Sequence, residues 1–315
     1  MKRFLILTLL SAMLLVACNA QQQQQPADTT QTTDTESSAV TEPESTLRTV
    51  EDMTQIEGVT AVTKLDQYCT NTELAYRVDF EVDGLKRYFE IALPADYAQK
   101  DYPCVLYFPD IGYEVDYLVD NFAKKDVIVM RLFTRGSKDN EGEKDFCGKD
   151  FKDAETMLSI CTACPFLSDH CIITAGAVTG ATFALKLAAN YPEVIKGCAV
   201  VDVVCDMQAL VDFRGEQIKE MYLYYFGCTE EQLPDELAKR SPKYFYETIK
   251  APVLLFCYTD TPVVPNEQSE ELKALLDGNG CDTELEYLSP VNSDFNGTAF
   301  MKLIPWIKNI ADNRK

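Results

Sequence analysis

Apolar runs and helical patterns alternate along residues 75–312 of the chain. Eight segments have the apolar or β-branched character of strands: 75–82, 87–93, 104–108, 127–133, 171–175, 196–204, 252–258 and 283–288. We interpret the last six as continuous runs, which predict parallel strands that are buried on both faces. Helical patterns lie between them, near 115–124, 152–162, 180–190, 267–277 and 298–311. This alternation predicts an α/β fold with an open, doubly wound, mostly parallel sheet.

Such sheets bind ligands beyond the carboxyl ends of their strands, so we expect function in the loops there. One of these loops lies in AGAVTGATFAL, residues 175–185. Its glycines, Gly176 and Gly180, have the G-x-S-x-G spacing of a nucleophile elbow, the sharp turn that presents a catalytic serine. The middle residue is Val178, which has neither a proton to give up nor a lone pair for attack. The glycines also have a structural explanation, because they allow the helix to pack tightly against the neighbouring strands.

The first eighteen residues, MKRFLILTLLSAMLLVAC, predict export from the cytoplasm. Their thirteen-residue apolar run is too short for a membrane-spanning helix, which needs roughly 20 residues, but is typical of a signal peptide. The ending LVAC resembles the lipobox of bacterial lipoproteins, and this resemblance implies removal of residues 1–17 and a lipid on Cys18. We therefore expect a lipid anchor on the extracytoplasmic face of a bacterial cell envelope. An ordinary secreted protein and an uncleaved anchor are the alternatives.

Residues 18–50 are rich in Gln, Thr and Ser and nearly devoid of apolar side chains. Such a segment cannot bury enough surface to offset its ordering entropy, so it is predicted to be a disordered tether. The rest of the chain, residues 51–315, has the length of a single large α/β domain. Removal of the leader leaves 27 Lys and Arg against 50 Asp and Glu, a net charge of −23. A body this acidic is repelled by nucleic acid and by anionic lipid, so neither is expected as a partner.

Eleven cysteines remain besides Cys18, an odd number for a complete disulfide framework. Several lie in apolar runs and are predicted to be small core residues: Cys104, Cys171, Cys198 and Cys257. Cys161 and Cys164 form the one close pair, for which burial, a local disulfide and a redox function are all open. A zinc site needs a second such pair or two histidines, and the chain has a single histidine. No metal or cofactor is expected.

Three longer stretches resemble the catalytic domain of the prolyl oligopeptidase family. They are TGATFALKLAANYPEVIKGCAVVDVV (179–204), SPKYFYETIKAPVLLF (241–256) and VVPNEQSEEL (263–272). The first is similar to the helix and strand that follow the nucleophile, and the others to the seventh strand and the helix after it. The resemblance covers residues 75–312 and implies an α/β-hydrolase fold without a propeller. It also implies that the insertion at about 206–249 is a helical lid.

The resemblance places each member of a Ser-Asp-His triad on a residue that differs from it. The nucleophile position falls on Val178 and the acid position on Thr261, with Asp260 one residue early. The loop that should carry the base, 289–297, offers Asp294 and no histidine. These positions are expected to converge at one end of the sheet. The only histidine, His170, precedes the strand that leads to the elbow and is expected at the opposite end.

The turn that should help to bind an oxyanion has also changed. Where the family has a His-Gly turn, this chain has Asp110 and Ile111, and with Thr179 they form the expected oxyanion region. A carboxylate at Asp110 would oppose a developing negative charge. A valine with φ above zero at position 178 would be strained by about 1–3 kcal/mol, so we expect either a relaxed turn or visible strain.

The lid is dense in aromatic residues, in MYLYYFG (221–227) and YFY (244–246). These side chains are candidates for the lining of a ligand pocket, although packing within the lid is the alternative. The candidates, with one from the loop after the third hydrolase strand, are Tyr113, Tyr222, Tyr225 and Tyr244.

The leading hypothesis is a catalytically degenerate α/β-hydrolase that acts as a binding or scaffolding module. Its ligand would be a small molecule, a peptide or a glycan at the lid-covered site. The alternative is an active esterase or peptidase with relocated catalytic residues, for which the candidate hydroxyls are Ser137, Thr179, Ser289 and Ser293. A thiol function at Cys161 and Cys164 is a third hypothesis.

The lipobox makes a direct prediction for Cys18→Ala. Without the thiol no lipid can be attached, so the variant should leave the membrane fraction or accumulate as unprocessed precursor. Fractionation and the mass of the N-terminal peptide measure this, and normal processing with full membrane retention would contradict the lipobox.

Overall fold

The structure is a computed structural model that describes residues 49–110, 121–168, 171–259, 263–289 and 297–313. Several predictions concern residues outside these ranges and remain predictions: the signal peptide and nearly all of the tether, Cys18, Ile111, Tyr113, His170, Asp260, Thr261, Ser293 and Asp294. Val50, which was assigned to the tether, is already buried, and its N–H donates to the Tyr97 hydroxyl at 3.1 Å. The folded body thus includes Val50.

The described residues form one nine-stranded sheet with the strand order β1-β2-β3-β5-β4-β6-β7-β8-β9. The strands are β1 (Val59–Lys64), β2 (Glu73–Val82), β3 (Leu85–Pro94), β4 (Cys104–Phe108), β5 (Ile128–Leu132), β6 (Ile172–Ala177), β7 (Ile195–Val201), β8 (Val253–Tyr258) and β9 (Thr283–Leu288). Pairing is antiparallel from β1 to β5 and parallel from there to β9.

The six strands predicted to be parallel are parallel, and their ends agree within a few residues. Strand β1 was missed, because VTAVTK is short and only partly buried. The β9 sequence TELEYL lies at the edge of the sheet and is partly exposed, so the prediction of burial on both faces was wrong for this strand. Strand β7 ends at Val201, three residues before the predicted end, because Asp202 turns the chain with a φ of 47°.

Helices cover both faces of the sheet, which makes the fold doubly wound. They are α1 (Phe151–Ala163), α2 (Pro165–Ser168), α3 (Thr179–Asn190), α4 (Met207–Arg214), α5 (Glu216–Phe226), α6 (Leu233–Arg240), α7 (Asn266–Gly278) and α8 (Gly297–Asp312). Helices α1, α3 and α7 bury apolar side chains in the core on one face, and α8 does so on the other with Trp306 and Ile307. No helix in the described part of the chain is long and apolar enough to span a membrane.

Helices α4, α5 and α6 form the helical insertion between β7 and β8, here called the lid. A buried polar network ties its start to the body. The Asp206 carboxylate accepts the N–H groups of Gln208 and Ala209 and so caps α4. The same carboxylate accepts a hydrogen bond from the Lys243 ammonium at 2.7 Å, and the Asp206 N–H donates to the Gln268 side chain at 2.8 Å. These contacts fix where the lid leaves the sheet.

Two glycines allow the central strands and α3 to approach one another closely. A Cβ atom on Gly180 would clash with the carbonyl oxygen of Phe108 and lie 2.8 Å from that of Pro109. A Cβ atom on Gly176 would clash with the carbonyl oxygen of Gly180. Helix α3 therefore sits directly against the end of β4, which confirms the structural explanation for this pair of glycines.

Gly180→Ala should lower the free energy of unfolding by more than about 2 kcal/mol, because the atom in the way belongs to the backbone and cannot rotate aside. Gly278→Ala is the matched control: Gly278 is also helical, but nothing lies within 4 Å of an added Cβ. The control should be neutral or stabilising by up to about 1 kcal/mol. Urea denaturation of both variants measures the difference, and equal stabilities would contradict the close approach.

Candidate active site

The turn between β6 and α3 has the strained geometry of a nucleophile elbow, with valine at its centre. Val178 has φ 48° and ψ −103°, a region that a β-branched residue rarely adopts. Its N–H donates to the Val201 carbonyl of β7 at 2.9 Å, which holds the turn against the neighbouring strand. Of the two outcomes expected from the sequence, visible strain is the one found. Its energetic cost is about 1–3 kcal/mol.

The Val178 side chain is buried under the lid rather than exposed to solvent. It is 9% exposed and belongs to a hydrophobic group, here called the lid cluster. The buried members of this cluster are Phe146, Val178, Val204, Met207, Leu210, Val211, Tyr222, Leu233, Leu237 and Val264. Burial of a valine contributes about 1.5–3 kcal/mol, which is comparable to the strain. An apolar side chain at the elbow is therefore compatible with the fold.

The Asp110 carboxylate lies against the residue that follows the elbow. Its Oδ1 accepts the Thr179 hydroxyl at 2.8 Å and, more weakly, the Thr179 N–H at 3.4 Å. In hydrolases with this elbow, the N–H of the residue after the nucleophile stabilises the oxyanion. Here the donor already faces a carboxylate, and a second negative charge at that point would be repelled. The sequence predicted this opposition, and the structure adds the contact.

A narrow cleft lies beside the elbow, and its cavity volume is only about 20 Å³, room for about one water molecule. Four phenylalanines form part of its walls, and two arginines and two aspartates form its charged floor. The lining residues are Arg87, Phe108, Pro109, Leu132, Phe133, Thr134, Arg135, Phe146, Asp150, Asp153, Thr179, Gly180 and Phe183. The cleft joins the oxyanion region to the lid cluster, since Thr179 and Phe146 line it together.

The floor of the cleft is a buried ion cluster that the sequence analysis missed. The Asp153 carboxylate, 1% exposed, accepts the Arg87 Nε–H at 2.8 Å and the Arg135 Nη2–H at 2.6 Å. Arg87 also donates to the Phe133 carbonyl at 2.6 Å, just beyond β5. Burial lowers the pKa of Arg87, and the charge of Asp153 opposes this effect. Asp153 and Met157 are four residues apart in α1 and therefore lie on the same face of the helix. A carboxylate on a helix face that is otherwise apolar is the signal in the sequence that could have indicated a buried ion cluster.

Asp202 is a second buried carboxylate that was missed, since it was assigned to the interior of a strand. It follows β7 at the carboxyl end of the sheet, next to the elbow strand, and is 3% exposed. Its Oδ1 accepts the Tyr258 N–H at 2.9 Å, and its own N–H donates to the Phe256 carbonyl. Asp202 therefore joins the ends of β7 and β8. Nothing in the sequence indicates that the strand ends at Asp202 with a φ of 47°, because positive φ values are typical of glycine and uncommon in other residues.

The aromatic pocket candidates separate into packing residues and a surface residue. Tyr222 stacks on Phe226 at 5.2 Å, and Tyr225 contacts the Phe146 ring at 5.1 Å. Burial, with the negative charge of Asp110 nearby, raises the pKa of Tyr222 well above its usual range. Tyr244 is 61% exposed, so it lies outside the lid cluster. Tyr222 and Tyr225 therefore pack within the lid, and the ligand-lining role of Tyr244 stays a prediction.

The remaining hydroxyl candidates have no catalytic surroundings among the described residues. The Ser137 hydroxyl donates to the Thr134 carbonyl at 2.7 Å, and Ser289 is exposed. Thr179 differs from both, because its hydroxyl contacts a carboxylate. Over the residues that the structure covers, no three His, Cys, Asp or Glu side chains converge into a metal site.

The eleven described cysteines are all free thiols. Cys161 lies 3.9 Å from Cys104, measured between sulfur atoms. The contact with Cys104 and complete burial raise the pKa of Cys161, and burial raises that of Cys164 to about 12. Redox chemistry starts from a thiolate that solvent can reach, so this environment argues against a redox function for Cys161 and Cys164.

Comparison with known proteins yields one relative in sequence and many in structure. No family model matches the chain. An uncharacterized peptidase of Bacillus subtilis, YtmA, is 24% identical over 246 residues, which cover 74% of this chain and 93% of that protein.

The structural neighbours include esterases and peptidases. An acetyl xylan esterase from Paenibacillus sp. R4 superposes with a TM-score of 0.66 at 15% identity, over 85% of this chain and 96% of that one. Acetyl xylan esterase 1 from Thermoanaerobacterium sp. gives 0.63 at 15% identity, over 79% and 87%. An acylaminoacyl peptidase from Pyrococcus horikoshii gives 0.61 at 14% identity, over 77% of this chain and 42% of that one. The chain therefore has the α/β-hydrolase fold.

Proposed function

We propose that this protein is a non-catalytic ligand-binding module with an α/β-hydrolase fold, held by a lipid at the extracytoplasmic face of a bacterial cell envelope. The observation that carries the proposal is the contact of the Asp110 carboxylate with Thr179, beside a valine at the elbow. Acyl transfer needs a nucleophile at the elbow and donors for the oxyanion. Here the nucleophile position holds Val178, whose side chain carries only methyl groups, and the Thr179 N–H that should bind the oxyanion faces the Asp110 carboxylate.

The same contact indicates the chemistry of the ligand. A carboxylate accepts hydrogen bonds and attracts positive charge, so a ligand near Asp110 should bring a donor such as an amino group, an amide N–H or a sugar hydroxyl. The phenylalanines that line the cleft suit an apolar portion of the same ligand, which the cleft must widen to admit. Short peptides and partly acylated sugars both combine these features, and they correspond to the substrates named for the structural neighbours.

The absence of hydrolysis is tested by restoring the missing groups. The unmodified protein and Val178→Ser should both hydrolyse p-nitrophenyl acetate and butyrate at background, because a serine without its base gains little. Val178→Ser combined with Thr261→Asp, Asp294→His and Asp110→Asn should gain weak activity and label with a fluorophosphonate. Robust turnover by the unmodified protein would contradict the proposal.

Ligand binding is tested through Asp110→Asn, which keeps the shape of the side chain and removes its charge. A charged hydrogen bond contributes about 1.5–3 kcal/mol, so the variant should bind a cationic or donor-bearing ligand about 10- to 100-fold more weakly. Calorimetric titration with free-amine peptides, N-acetylated peptides and xylo-oligosaccharides identifies the class. Asp139→Asn, a surface carboxylate, is the control. Equal affinity for Asp110→Asn and the unmodified protein would rule out the role of Asp110.

One observation favours an active hydrolase as the second candidate. The Thr179 hydroxyl donates to Asp110 at 2.8 Å, which is the geometry of a nucleophile with an adjacent base. Any turnover from this pair should be lost in Thr179→Val and retained in Thr54→Val, an exposed threonine. Loss confined to Thr179→Val, with a measurable starting activity, would establish this candidate over the first.

A further inference from the structure

The turn formed by residues 145–150 connects the lid, the elbow helix and the cleft. Phe146 inserts into the lid cluster, where its ring lies 5.1 Å from Tyr225 and 5.7 Å from Tyr222. The Lys186 ammonium of α3 donates to the Cys147 carbonyl at 3.0 Å. At the end of the turn, Asp150 lines the cleft. Movement of this turn would therefore affect all three regions.

Arg240, at the end of lid helix α6, binds the turn directly. Its Nε–H donates to the Asp145 carbonyl at 2.8 Å, and its Nη2 lies 3.5 Å from the Asp145 carboxylate. The guanidinium also lies 4.1 Å above the Phe226 ring, at the end of α5. One buried arginine thus joins two lid helices to the turn.

Gly148 and two unusual backbone conformations fit the turn to Arg240. A Cβ atom on Gly148 would clash with the Arg240 guanidinium and with the Asp145 carboxylate, so only glycine permits this approach. Phe146 and Cys147 have φ values of 54° and 71°, which cost non-glycine residues free energy. The turn is therefore a strained segment that its contacts must hold in place.

Two carboxyl groups supply most of those contacts. The Asp145 carboxylate accepts the N–H groups of Gly148, Lys149 and Asp150, at 2.7 to 3.1 Å. The Asp150 carboxyl accepts those of Asp145 and Cys147, at 3.0 and 2.8 Å, and the two carboxyl groups are hydrogen-bonded to each other. Such a bond between two carboxyl groups requires one proton.

Of the two carboxyl groups, Asp150 is the one whose surroundings favour the proton. Burial, the hydrogen bond to Asp145 and the charge of Asp145 raise the pKa of Asp150 to about 8. Burial opposes ionisation of Asp145 as well, but the hydrogen bonds from Asp150 and the backbone, with the charge of Arg240, lower the pKa of Asp145. Asp153 adds a further negative charge near Asp150.

The other charged and titratable groups around Asp150 come from three elements. Arg87 reaches it from β3 and Arg135 from the segment after β5, and both are paired with Asp153. The buried Cys147 thiol lies in the turn itself, and its pKa is raised well above its usual value.

We infer that the turn 145–150 is a latch that holds the lid closed through one proton shared by Asp145 and Asp150. When the lid is closed, the turn presents Phe146 to the lid cluster and the Asp145 oxygens to Arg240. When the lid opens, both carboxyl groups reach solvent and Asp150 loses its proton. The latch does not depend on whether the site below it binds or hydrolyses a ligand.

The direction of the pH dependence follows from the proton count. In the closed form the pKa of Asp150 is about 8, and in the open form it returns to the ordinary carboxyl value of about 4. Between these two pH values, opening therefore releases one proton. Opening is therefore favoured as pH rises, by up to tenfold per pH unit in this window, and levels off above about 8. Asp145 titrates below the window and does not contribute.

Hydrogen exchange of the purified full chain, read by mass spectrometry from pH 5 to 9 and corrected for intrinsic rates, tests the latch. Exchange in 145–150 and 207–240 should rise about tenfold per pH unit up to about pH 8. Asp150→Asn keeps a neutral side chain at every pH and should abolish this slope. Glu220→Gln, the same change at an exposed lid residue, should keep it.

A flat profile in the unmodified protein, or an unchanged slope in Asp150→Asn, would overturn the latch. Should Asp150→Asn fail to fold, the pH profile of the unmodified protein still tests the proton, and Gly148→Ala tests at pH 6 whether the turn holds the lid. Its Cβ would push Arg240 and Asp145 apart, so lid exchange should rise at least tenfold while exchange in β6 and β7 stays unchanged. Unchanged lid exchange in Gly148→Ala would also overturn it.

Discussion

The contact of Gly180 with the Phe108 carbonyl determines the geometry of the whole site. It places the first turn of α3 directly against the end of β4, closer than any side chain would allow. The next residues of the β4 loop must therefore run past the elbow, which brings Asp110 to Thr179. Aromatic Phe108 and Phe183 close the cleft from the same two segments. The position of the site thus follows from backbone packing and not from catalytic side chains.

This dependence explains why the elbow keeps its strain without a serine. A turn at φ 48° is imposed by the strand, the helix and the bond from Val178 to Val201, whichever side chain occupies it. In a serine hydrolase the strain exposes the nucleophile. Here it directs a valine into the lid cluster, where apolar burial offsets a cost of similar size. A valine at this position therefore requires no change of fold.

Buried strands and the elbow glycines could be predicted because their signals are local. Continuous apolar runs identified the parallel strands, and the spacing of Gly176 and Gly180 located the turn. The buried ions could not be found in the same way, since Arg87 and Asp153 are 66 positions apart in the chain and meet only once the segment between them has folded. Asp202 was missed because its positive φ is imposed by neighbours on β8. The sequence does not distinguish Tyr222 from Tyr244, since both are tyrosines in aromatic stretches. Only the packing of the lid helices buries the ring of Tyr222 and leaves that of Tyr244 exposed.

The lid and the site are coupled by the charges beneath them. Phe146 belongs to the lid cluster and lines the cleft, while Asp150 lines the cleft and shares the proton of the turn. A ligand that fills the cleft with the lid closed favours the protonated pair, and protonation of the pair favours that ligand to the same extent, because coupling between two sites is reciprocal. A ligand that needs the lid open has the opposite preference. The sign of the pH dependence of affinity therefore distinguishes a ligand enclosed by the lid from one that displaces it.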